Sequence, residues 1–494
     1  MLVLGKESSG GTRSLVWYEP FFDFASWLFV IDALIILGAI PWILSLKRDS
    51  VPAIAWSLVV VLLPIFGFLL FLLFGYTHVY RPLKRKRRHR VRFEARASAA
   101  ARGKRHSAAD FVDYGGLGAL AVRLGAPPPM SGNRVMLYNA TRVAHAALLE
   151  AISDARDHVH LEYYIVQPDD TGRELLELLA RKARQGCEVR LLYDALGSWT
   201  LKSRLLRPLH KAGGRSAAFL GISLLRRRLQ VNMRNHRKLV VIDGKVAFTG
   251  GMNIGNEYLG LSRWFRHWRD NFMRVEGPVV ASLQSVFVED WDFSAKELLD
   301  APRYFPDLQA AGHSVVQVID SGPDQPINTL REVVFAALTT AKERLWIATP
   351  YFVPDTGILD ALKLAARRGV DVRILSPRKS DNRLADHAAR YYWSELLEEG
   401  IHLHEYRRGM MHAKMMLLDD AWGWVGTANL DRRSLQLNFE NVCVLHSQAE
   451  LAALSKTFQR DLRRSDEVQA EIFNQRGAFQ KLMENSCRLF SPVL

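Results

Sequence analysis

Residues 235–244, which read NHRKLVVIDG, decide how the chain folds, because the same pattern returns at residues 412–419 as HAKMMLLD. In both copies His, Lys, Asp and Asn stand at relative positions 0, +2, +7 and +17. A single His-x-Lys strand usually means only a solvated sheet edge. Two copies with four matched polar positions indicate an internal repeat that carries chemistry. The matched residues are His236, Lys238, Asp243 and Asn253, and then His412, Lys414, Asp419 and Asn429.

The sequence around the two copies repeats as well and predicts an α/β fold. In each half an apolar strand precedes a helical pattern, a glycine (Gly186 or Gly369) closes that helix, and a second apolar strand follows. The near-continuous apolar runs after the motif histidines are typical of strands buried on both faces. We therefore predict two tandem α/β repeats, residues 133–308 and 309–494, that form one catalytic body about a pseudo-twofold axis.

The N-terminal region predicts a membrane anchor. Two almost wholly apolar stretches each exceed the roughly 20 residues that cross a hydrocarbon core of about 30 Å. A buried core helix seldom runs that long without a polar face. We expect residues 1–20 to be a separate segment and residues 21–80 to form a transmembrane hairpin, with spans at about 24–46 and 51–74. Pro41 and Pro64 would be tolerated as kinks in such spans.

The positive charge of the chain is concentrated in one place. Residues 81–105 contain twelve Lys and Arg against a single Glu, a net charge of +11, which leaves +4 of the total +15 for the rest. A duplex-binding protein more often spreads its charge over the reading surface, so we expect no nucleic-acid partner. The basic run predicts that the N-terminus and the body lie on the cytoplasmic side of a membrane. It can also attract anionic lipid headgroups. We assign residues 81–132 to this run and a linker.

The paired polar residues suit chemistry on an anion with tetrahedral oxygens at one shared site. Lys238, Lys414, Asn253 and Asn429 would supply the cations and amide donors of a phosphate cradle. Two histidines would divide the work, since a neutral one can attack phosphorus and a protonated one can give its proton to the leaving alkoxide. The residues themselves are symmetric and do not choose between the two histidines. A phosphohistidine intermediate would then be resolved by a second alcohol or by water.

Acidic residues complete the predicted site. Asp270 and Glu440 each precede an Asn and a strand in matching places, and we expect them to orient the histidines through the far ring nitrogen. The alternative for both is an ordinary acid at a strand start. Asp243 and Asp419 belong to the motif and to the predicted catalytic set, but each lies five residues beyond its Lys at the strand end. We therefore expect these two to be structural partners of the motif.

We expect neither a metal nor a cofactor. The cations of the motif can neutralise charge that a metal ion would otherwise meet, and a lysine two residues beyond each histidine disfavours zinc between His236 and His412. The sequence shows no carboxylate cluster of the kind that Mg²⁺ needs. Three distant cysteines suggest neither a disulfide framework nor a CxxC metal site.

The paired HxKxxxxD motifs resemble those of the phospholipase D superfamily, and longer matches resemble the bacterial cardiolipin synthases within it. The resemblance covers roughly residues 20–494, including the two apolar stretches. The longer matches are residues 250–258 (GGMNIGNEY), 268–270 (WRD), 350–355 (PYFVPD) and 426–434 (GTANLDRRS).

This resemblance implies transfer of a phosphatidyl group from one phosphatidylglycerol to another, with release of glycerol. It implies His236 as the nucleophile and His412 as the acid and base. It also implies an integral protein of the bacterial inner membrane that meets anionic lipid. Because both motifs lie in one chain, no oligomer is required for the site.

Two other readings remain open from the sequence. A membrane-tethered phosphodiesterase of the same superfamily, a hydrolytic phospholipase or a nuclease, would use the same chemistry with another acceptor. A non-catalytic membrane scaffold would show a broken motif, and neither copy is broken. Residues 219–229 and 259–268 combine apolar and basic side chains, which suits either contact with a membrane surface or core packing with a solvated edge.

Overall fold

The structure is a computed structural model that describes residues 24–46, 50–75, 80–96, 111–221, 233–263 and 265–491. It contains two compact units, Met1–His78 and Val79–Leu494. The predicted segment 1–20 and residues 47–49 of the predicted turn between the apolar stretches lie outside the described residues.

The first unit is apolar and helical. It contains α1 (Phe24–Leu46), α2 (Ser50–Leu62) and α3 (Pro64–Leu70), followed by a π-helical turn at Phe71–Gly75. Within the described part of the chain, one helix is long and apolar enough to cross a membrane, namely α1 over Ser26–Leu46.

The second predicted span, residues 51–74, is not one continuous helix. Leu63 leaves the helical region of the backbone (φ −138°, ψ 73°), and Pro64 opens a new helix. Proline has no amide hydrogen to donate and its ring clashes with the preceding turn, which explains the break. The segment still packs on α1, where the ring of Trp42 lies 5.8 Å from that of Phe71. The predicted hairpin of two membrane-length helices is therefore not confirmed.

The second unit begins with α4 (Tyr80–Arg96), a 3₁₀ turn at Tyr114–Gly116 and α5 (Leu117–Arg123). α5 buries Leu117 in the core of the second half, and the Gln317 side chain donates a 2.9 Å hydrogen bond to the carbonyl of Pro127. The last part of the predicted linker therefore packs as part of the body. Residues 97–110 lie outside the described residues.

Two matching sets of elements follow. The first half contains β1 (Met130–Tyr138), α6 (Thr141–Asp154), β2 (His158–Tyr163), α7 (Asp170–Arg184), β3 (Glu188–Asp194), α8 (Ser203–Lys211), β4 (Arg215–Phe219), β5 (Lys238–Ile242), β6 (Val246–Gly250), β7 (Trp268–Arg269), β8 (Phe272–Glu276) and α9 (Val280–Ala295). The second half contains β9 (Ser314–Ser321), α10 (Thr329–Thr340), β10 (Arg344–Ala348), β11 (Phe352–Val353), α11 (Thr356–Arg367), β12 (Asp371–Pro377), α12 (Arg383–Glu398), β13 (His402–Tyr406), β14 (Met410–Met411), β15 (Met415–Leu418), β16 (Trp422–Gly426), β17 (Leu430–Asp431), α13 (Arg432–Gln436), β18 (Glu440–Leu445), α14 (Gln448–Leu462), β19 (Ser465–Glu467), α15 (Ala470–Asn474) and α16 (Ala478–Arg488).

Fifteen strands form one sheet whose order is symmetric about its centre. The first half runs outward as β1-β8-β6-β5-β2-β3-β4, and the second half as β9-β18-β16-β15-β10-β12-β13, with β19 added at the edge. β1 and β9 pair antiparallel at the centre, where Met130 faces Val316. The predicted fold class is confirmed, since two α/β repeats share one sheet around a pseudo-twofold axis.

The motif strands β5 and β15 lie inside this sheet and are buried along their whole length. β5 pairs antiparallel with β2 and β6, and β15 pairs antiparallel with β10 and β16. One core, with Leu239 and Met415 among its members, runs through both halves beneath α9 and α14. This burial on both faces explains the near-continuous apolar runs.

Candidate active site

Each motif histidine contacts the acid of the other repeat. Nδ1 of His236 lies 3.0 Å from a carboxylate oxygen of Glu440, and Nδ1 of His412 lies 2.6 Å from Oδ2 of Asp270. All four side chains are buried. The structure therefore brings the predicted histidines and their predicted orienting acids together, in a crossed arrangement that joins the two halves.

Short parallel bridges explain why the pairs cross. The amide of His236 donates to the carbonyl of Phe439 at 2.9 Å, and the amide of His412 donates to the carbonyl of Arg269 at 2.7 Å. β14, just before His412, also pairs in parallel with β7. In each bridge the acid follows directly after the accepting residue, so the chain presents the carboxylate to the histidine of the opposite repeat.

The two acids have different surroundings. Glu440 accepts a hydrogen bond of 2.5 Å from the Thr427 hydroxyl and one of 3.2 Å from Nδ2 of Asn438. Asp270 instead lies against Gly251, where a Cβ would stand 2.0 Å from its Oδ1. Gly251 and Thr427 occupy the same place in the two repeats. The first half requires glycine there because a side chain would collide with Asp270, whereas the hydroxyl of Thr427 donates a hydrogen bond to Glu440.

The motif lysines are fully buried beside the histidines. Nζ of Lys238 donates to the carbonyl of His236 at 2.6 Å, and Nζ of Lys414 donates to the carbonyl of His412 at 2.6 Å. Burial lowers the pKa of Lys238 well below its usual value and lowers the pKa of Lys414 to about 8. The charge of Lys414 also lowers the pKa of His236, which shows that the two halves share one electrostatic site.

The histidines are neutral and their acids are ionised at pH 7. Burial lowers the pKa of His236 to about 4 and also lowers the pKa of His412. Although burial raises the pKa of Glu440, His236 and Lys238 hold it down at about 2. Asp270 is likewise held low against burial by His412. Since an ionised carboxylate only accepts, each Nδ1 donates to it and leaves the Nε2 lone pair available.

Aromatic rings and amides complete the site. The ring of Tyr164 lies 5.0 Å from that of His236, and the ring of Trp268 lies 5.1 Å from that of His412. Asn253 is buried and its Oδ1 accepts from the amide of Ile165 at 3.2 Å. Asn429 is also buried, and its Oδ1 has no hydrogen-bond partner within the described ranges. Binding of phosphate by these asparagines stays a prediction.

Asp243 and Asp419 do not join the histidines. Asp243 accepts hydrogen bonds from the amides of Asp157 and His158, at 2.8 and 2.9 Å. Asp419 accepts from the matching loop before β10. Each aspartate follows the far end of its motif strand, about 16 Å from the lysine if five residues advance roughly 3.3 Å each. They cap loops that precede β2 and β10, and their role as structural partners of the motif stays a prediction.

A buried charge network behind His236 was missed by sequence reasoning. Arg237 forms an ion pair with Asp290, and Asn235 donates to Glu162. Asp290 also lies 2.7 Å from Nζ of Lys86, a buried residue of α4. The basic helix is therefore docked on the catalytic body along one face. One signal was available in the sequence, since the residue between His and Lys is Arg in one copy and Ala in the other.

More of α4 contributes to this docking. Arg90 lies 3.1 Å from Asp320, and Phe93 is buried in the core that runs through both halves. Lys86, Arg90 and Phe93 are spaced at i, i+4 and i+7, so they share one helix face. The cations that the sequence suggested as a topology signal therefore also serve as partners for buried acids.

The two stretches that the sequence suggested as membrane contacts, residues 219–229 and 259–268, contain both buried and exposed residues. Phe219 is buried, but residues 222–229 lie outside the described residues. Leu261 is exposed and Trp268 is buried beside His412, whereas Trp264 is also outside the described residues. Contact of these stretches with a membrane stays a prediction. Among the described residues, no group of three or more His, Cys, Asp and Glu side chains could hold a metal ion.

A sheet symmetric about its centre, with one site built from two His-x-Lys strands and crossed acids, defines a protein of the phospholipase D class. Comparisons with known proteins agree. The sequence profile described as "Cardiolipin synthase, PLD-like domain" matches residues 148–291 and 334–462. A solved structure, phosphatidylserine synthase from Haemophilus influenzae Rd KW20, shares the fold with a TM-score of 0.60 at 17% identity, covering 76% of this chain and 99% of that one.

Curated relatives are more specific. Cardiolipin synthase from Alkalihalophilus pseudofirmus is 38% identical over 455 residues, 91% of this chain and 90% of that protein. Cardiolipin synthase from Geobacillus kaustophilus is 38% identical over 461 residues, 92% of this chain and 91% of that protein. The chain therefore belongs to the cardiolipin synthases of the phospholipase D superfamily. It is a membrane-associated enzyme of phosphatidyl transfer, and its relatives favour a synthase over the hydrolytic alternative.

Proposed function

We propose that this enzyme joins two molecules of phosphatidylglycerol into cardiolipin and releases glycerol. The observation that carries the proposal is the crossed pairing, in which His236 contacts Glu440 and His412 contacts Asp270. It supplies two neutral imidazoles with oriented Nε2 atoms and two buried lysines in one site. Exchange of one phosphodiester for another needs these groups and no external energy source.

In the first step Nε2 of His236 attacks the phosphorus of one phosphatidylglycerol. The bond between phosphorus and the headgroup glycerol oxygen breaks as the nitrogen–phosphorus bond forms. His412 gives a proton to that oxygen, and glycerol leaves. The negative charge of the bound diester favours the protonated form of His412, as a nearby anion does for any histidine.

In the second step His412 takes a proton from the headgroup hydroxyl of a second phosphatidylglycerol. That oxygen attacks the phosphohistidine, the nitrogen–phosphorus bond breaks and cardiolipin leaves. Water in place of the second lipid would give phosphatidic acid, so the choice of acceptor separates the synthase from a hydrolytic phospholipase.

The choice of His236 as nucleophile rests on the groups that fix its ring, since both histidines are neutral at pH 7 and the protonation state does not choose between them. With a pKa of about 4 it is neutral across the physiological range, as a nucleophile must be. Glu440 fixes its ring, and Glu440 is itself fixed by Thr427. Lys238, Lys414, Asn253 and Asn429 are the proposed phosphate cradle, and the lysines neutralise charge that gathers on the phosphoryl oxygens.

We also propose how the enzyme meets its membrane. α1 and the apolar segment after it would cross the bacterial inner membrane, with the catalytic body on the cytoplasmic side. The charge bias of residues 81–105 supports that orientation. The break at Pro64 is compatible with a membrane segment, because neighbouring helices can satisfy the freed backbone groups.

The side of α4 that carries Lys84, Arg85, Arg88 and Arg92 suits anionic lipid headgroups. Together with the C-terminal end of α9, it lines a cleft of about 490 Å³ that has five cations and one acid, and that acid, Asp292 of α9, lies 2.7 Å from His89. Such an excess of positive charge would attract phosphodiester headgroups of the membrane surface. The five cations are Lys84, Arg85, Arg88, Arg92 and Lys296.

The test uses the purified full chain in vesicles that contain phosphatidylglycerol alone as substrate. We expect free glycerol and a diphosphatidyl product in equal amounts. Phosphatidic acid as the sole lipid product would refute the synthase and leave the hydrolytic phospholipase. A matched preparation of His236→Ala should form neither product.

A further inference from the structure

Helix α16 carries an apolar stripe that the fold leaves uncovered. Its members are Phe479, Leu482, Met483, Leu489 and Phe490, with 77, 61, 41, 73 and 52% of their surface exposed. Their spacing places them on one side of the helix and of its C-terminal continuation. Scattered exposed apolar residues are ordinary, but a contiguous stripe of five large ones marks a contact surface.

The remaining surface of α16 has one side that is packed against the body and another that carries exposed cations, as a helix at a membrane surface requires. One side is docked on the body, with Glu484 and Cys487 buried. Glu484 is the acid of this helix, and it lies 3.1 Å from Arg476. The exposed charged residues of α16 are Lys481 and Arg488, which are both cations. An apolar stripe with exposed cations fits the surface of an anionic bilayer.

The position of α16 links it to the active site. Cys487 packs in one cluster with Val353 of β11. β11 pairs in parallel with β17, which begins directly after Asn429 of the proposed phosphate cradle. The residue before β11, Tyr351, donates a hydrogen bond to Asp381, which directly precedes the N-cap of α12. α16 and α12 therefore form a layer that borders the second-half side of the site.

We propose that the α16 stripe rests in the surface of the lipid bilayer, with its apolar side chains among the acyl chains and its cations at anionic headgroups. The proposal rests on the proposed function, because both substrates of that reaction reside in a bilayer and must reach a buried site. A contact at α16 would hold the adjoining face of the site against the surface from which phosphatidylglycerol enters.

The direct test places an environment-sensitive fluorophore on Leu482→Cys in the full chain. The matched control carries the label on Asn485→Cys, an exposed polar position of the same helix. Each protein is reconstituted into vesicles of phosphatidylethanolamine and phosphatidylglycerol, with or without bromine on the acyl chains. Wild-type protein treated alike is the blank, because its Cys187, Cys443 and Cys487 are buried.

We expect brominated lipid to quench the label at position 482 and aqueous iodide to leave it bright, with the opposite result at position 485. Iodide quenching of both labels alike would show that the stripe faces water. Protection of the 482 label from both quenchers would show that protein, such as a second copy of the chain, covers it. Either result overturns the proposal. Quenching needs no turnover, so its outcome is independent of the test of the reaction.

A second measurement compares two substrates on Leu482→Ser. Turnover of long-chain phosphatidylglycerol in vesicles should fall about tenfold, the effect of losing one large apolar contact. Turnover of a short-chain, water-soluble phosphatidylglycerol should stay unchanged, and Asn485→Ser should change neither. Equal losses on both substrates would mean that the stripe supports the site itself, and would contradict a bilayer contact.

Discussion

The two halves of the catalytic body share their strand order but differ around the histidine. His236 contacts Glu440, whose carboxylate is also held by the Thr427 hydroxyl. His412 contacts the shorter Asp270, which is accommodated by Gly251. The symmetric sheet therefore places two histidines in equivalent positions, while the residues around them prepare each one differently.

The residue between His and Lys gives the second contrast. In the first half it is Arg237, which reaches Asp290 and through it Lys86 of α4. In the second half it is Ala413, which packs in the apolar core. The first histidine thus precedes a strand (β5) that is anchored by a buried ionic network, and the second precedes a strand (β15) that is anchored by apolar packing. This difference suggests that fixed geometry matters most at His236, the proposed nucleophile.

The largest effect should come from removing either histidine. His236→Ala and His412→Ala should each lower glycerol release from phosphatidylglycerol about 10⁴-fold, and the double variant should lose little more, because residues that act as a unit are not additive. The exposed His210→Ala is the control. Two independent sites, one in each half, would instead leave about half of the activity in each single variant.

Substitutions of the two orienting acids, Glu440 and Asp270, should affect formation and breakdown of the phosphoenzyme differently. Glu440→Gln and Asp270→Asn should each lower turnover about 10- to 100-fold, since the histidine loses its orienting partner. Rapid quenching with substrate labelled at phosphorus should show slow formation of the phosphoenzyme in Glu440→Gln. Asp270→Asn should also slow its breakdown. Indistinguishable time courses would remove the proposed division of roles between the halves.

Substitution of Lys86 should show how much the docking of α4 contributes to the stability of the catalytic body. Lys86→Met should destabilise the protein by about 1–3 kcal/mol, because the buried carboxylate of Asp290 loses one of its two cationic partners and keeps only Arg237. Thermal unfolding would measure this, with the exposed Arg87→Met as a control on the same helix. Adding Glu289→Gln, which removes the other acid 2.7 Å from Lys86, should restore part of the loss. Equal stability of Lys86→Met and Arg87→Met would contradict the account.

The smallest effect concerns pH. Lys414 has a pKa lowered to about 8, so it loses its charge as the pH rises through that value. kcat/KM for phosphatidylglycerol should therefore fall about tenfold for each pH unit above it, as the charged fraction falls. Lys414→Arg keeps its charge and should move this alkaline limb to higher pH. An unchanged limb would assign the titration to another group.

The sequence predicted the repeats and the site residues because each depends on local spacing. His236, Lys238 and Asn253 have partners at equal offsets in the second half. Asp270 and Glu440 were predicted as orienting acids, but their crossed pairing with the histidines could not be predicted, since it depends on bridges at Phe439 and Arg269 between distant segments. The docking of Lys86 was hidden for another reason, because a run of cations usually stays solvated. The break at Pro64 shows that apolar length alone does not determine helix continuity.

The histidine that carries the phosphatidyl group can be identified by trapping the intermediate, which is the most direct test of the proposed roles. His412→Ala is mixed with a phosphatidyl ester of p-nitrophenol, a leaving group that needs no proton, and the trapped protein is mapped by mass spectrometry. We predict that p-nitrophenol is released in a single burst and that the phosphatidyl group stays on His236. Modification of His412 in the reciprocal His236→Ala variant, with none on His236 in His412→Ala, would contradict the account.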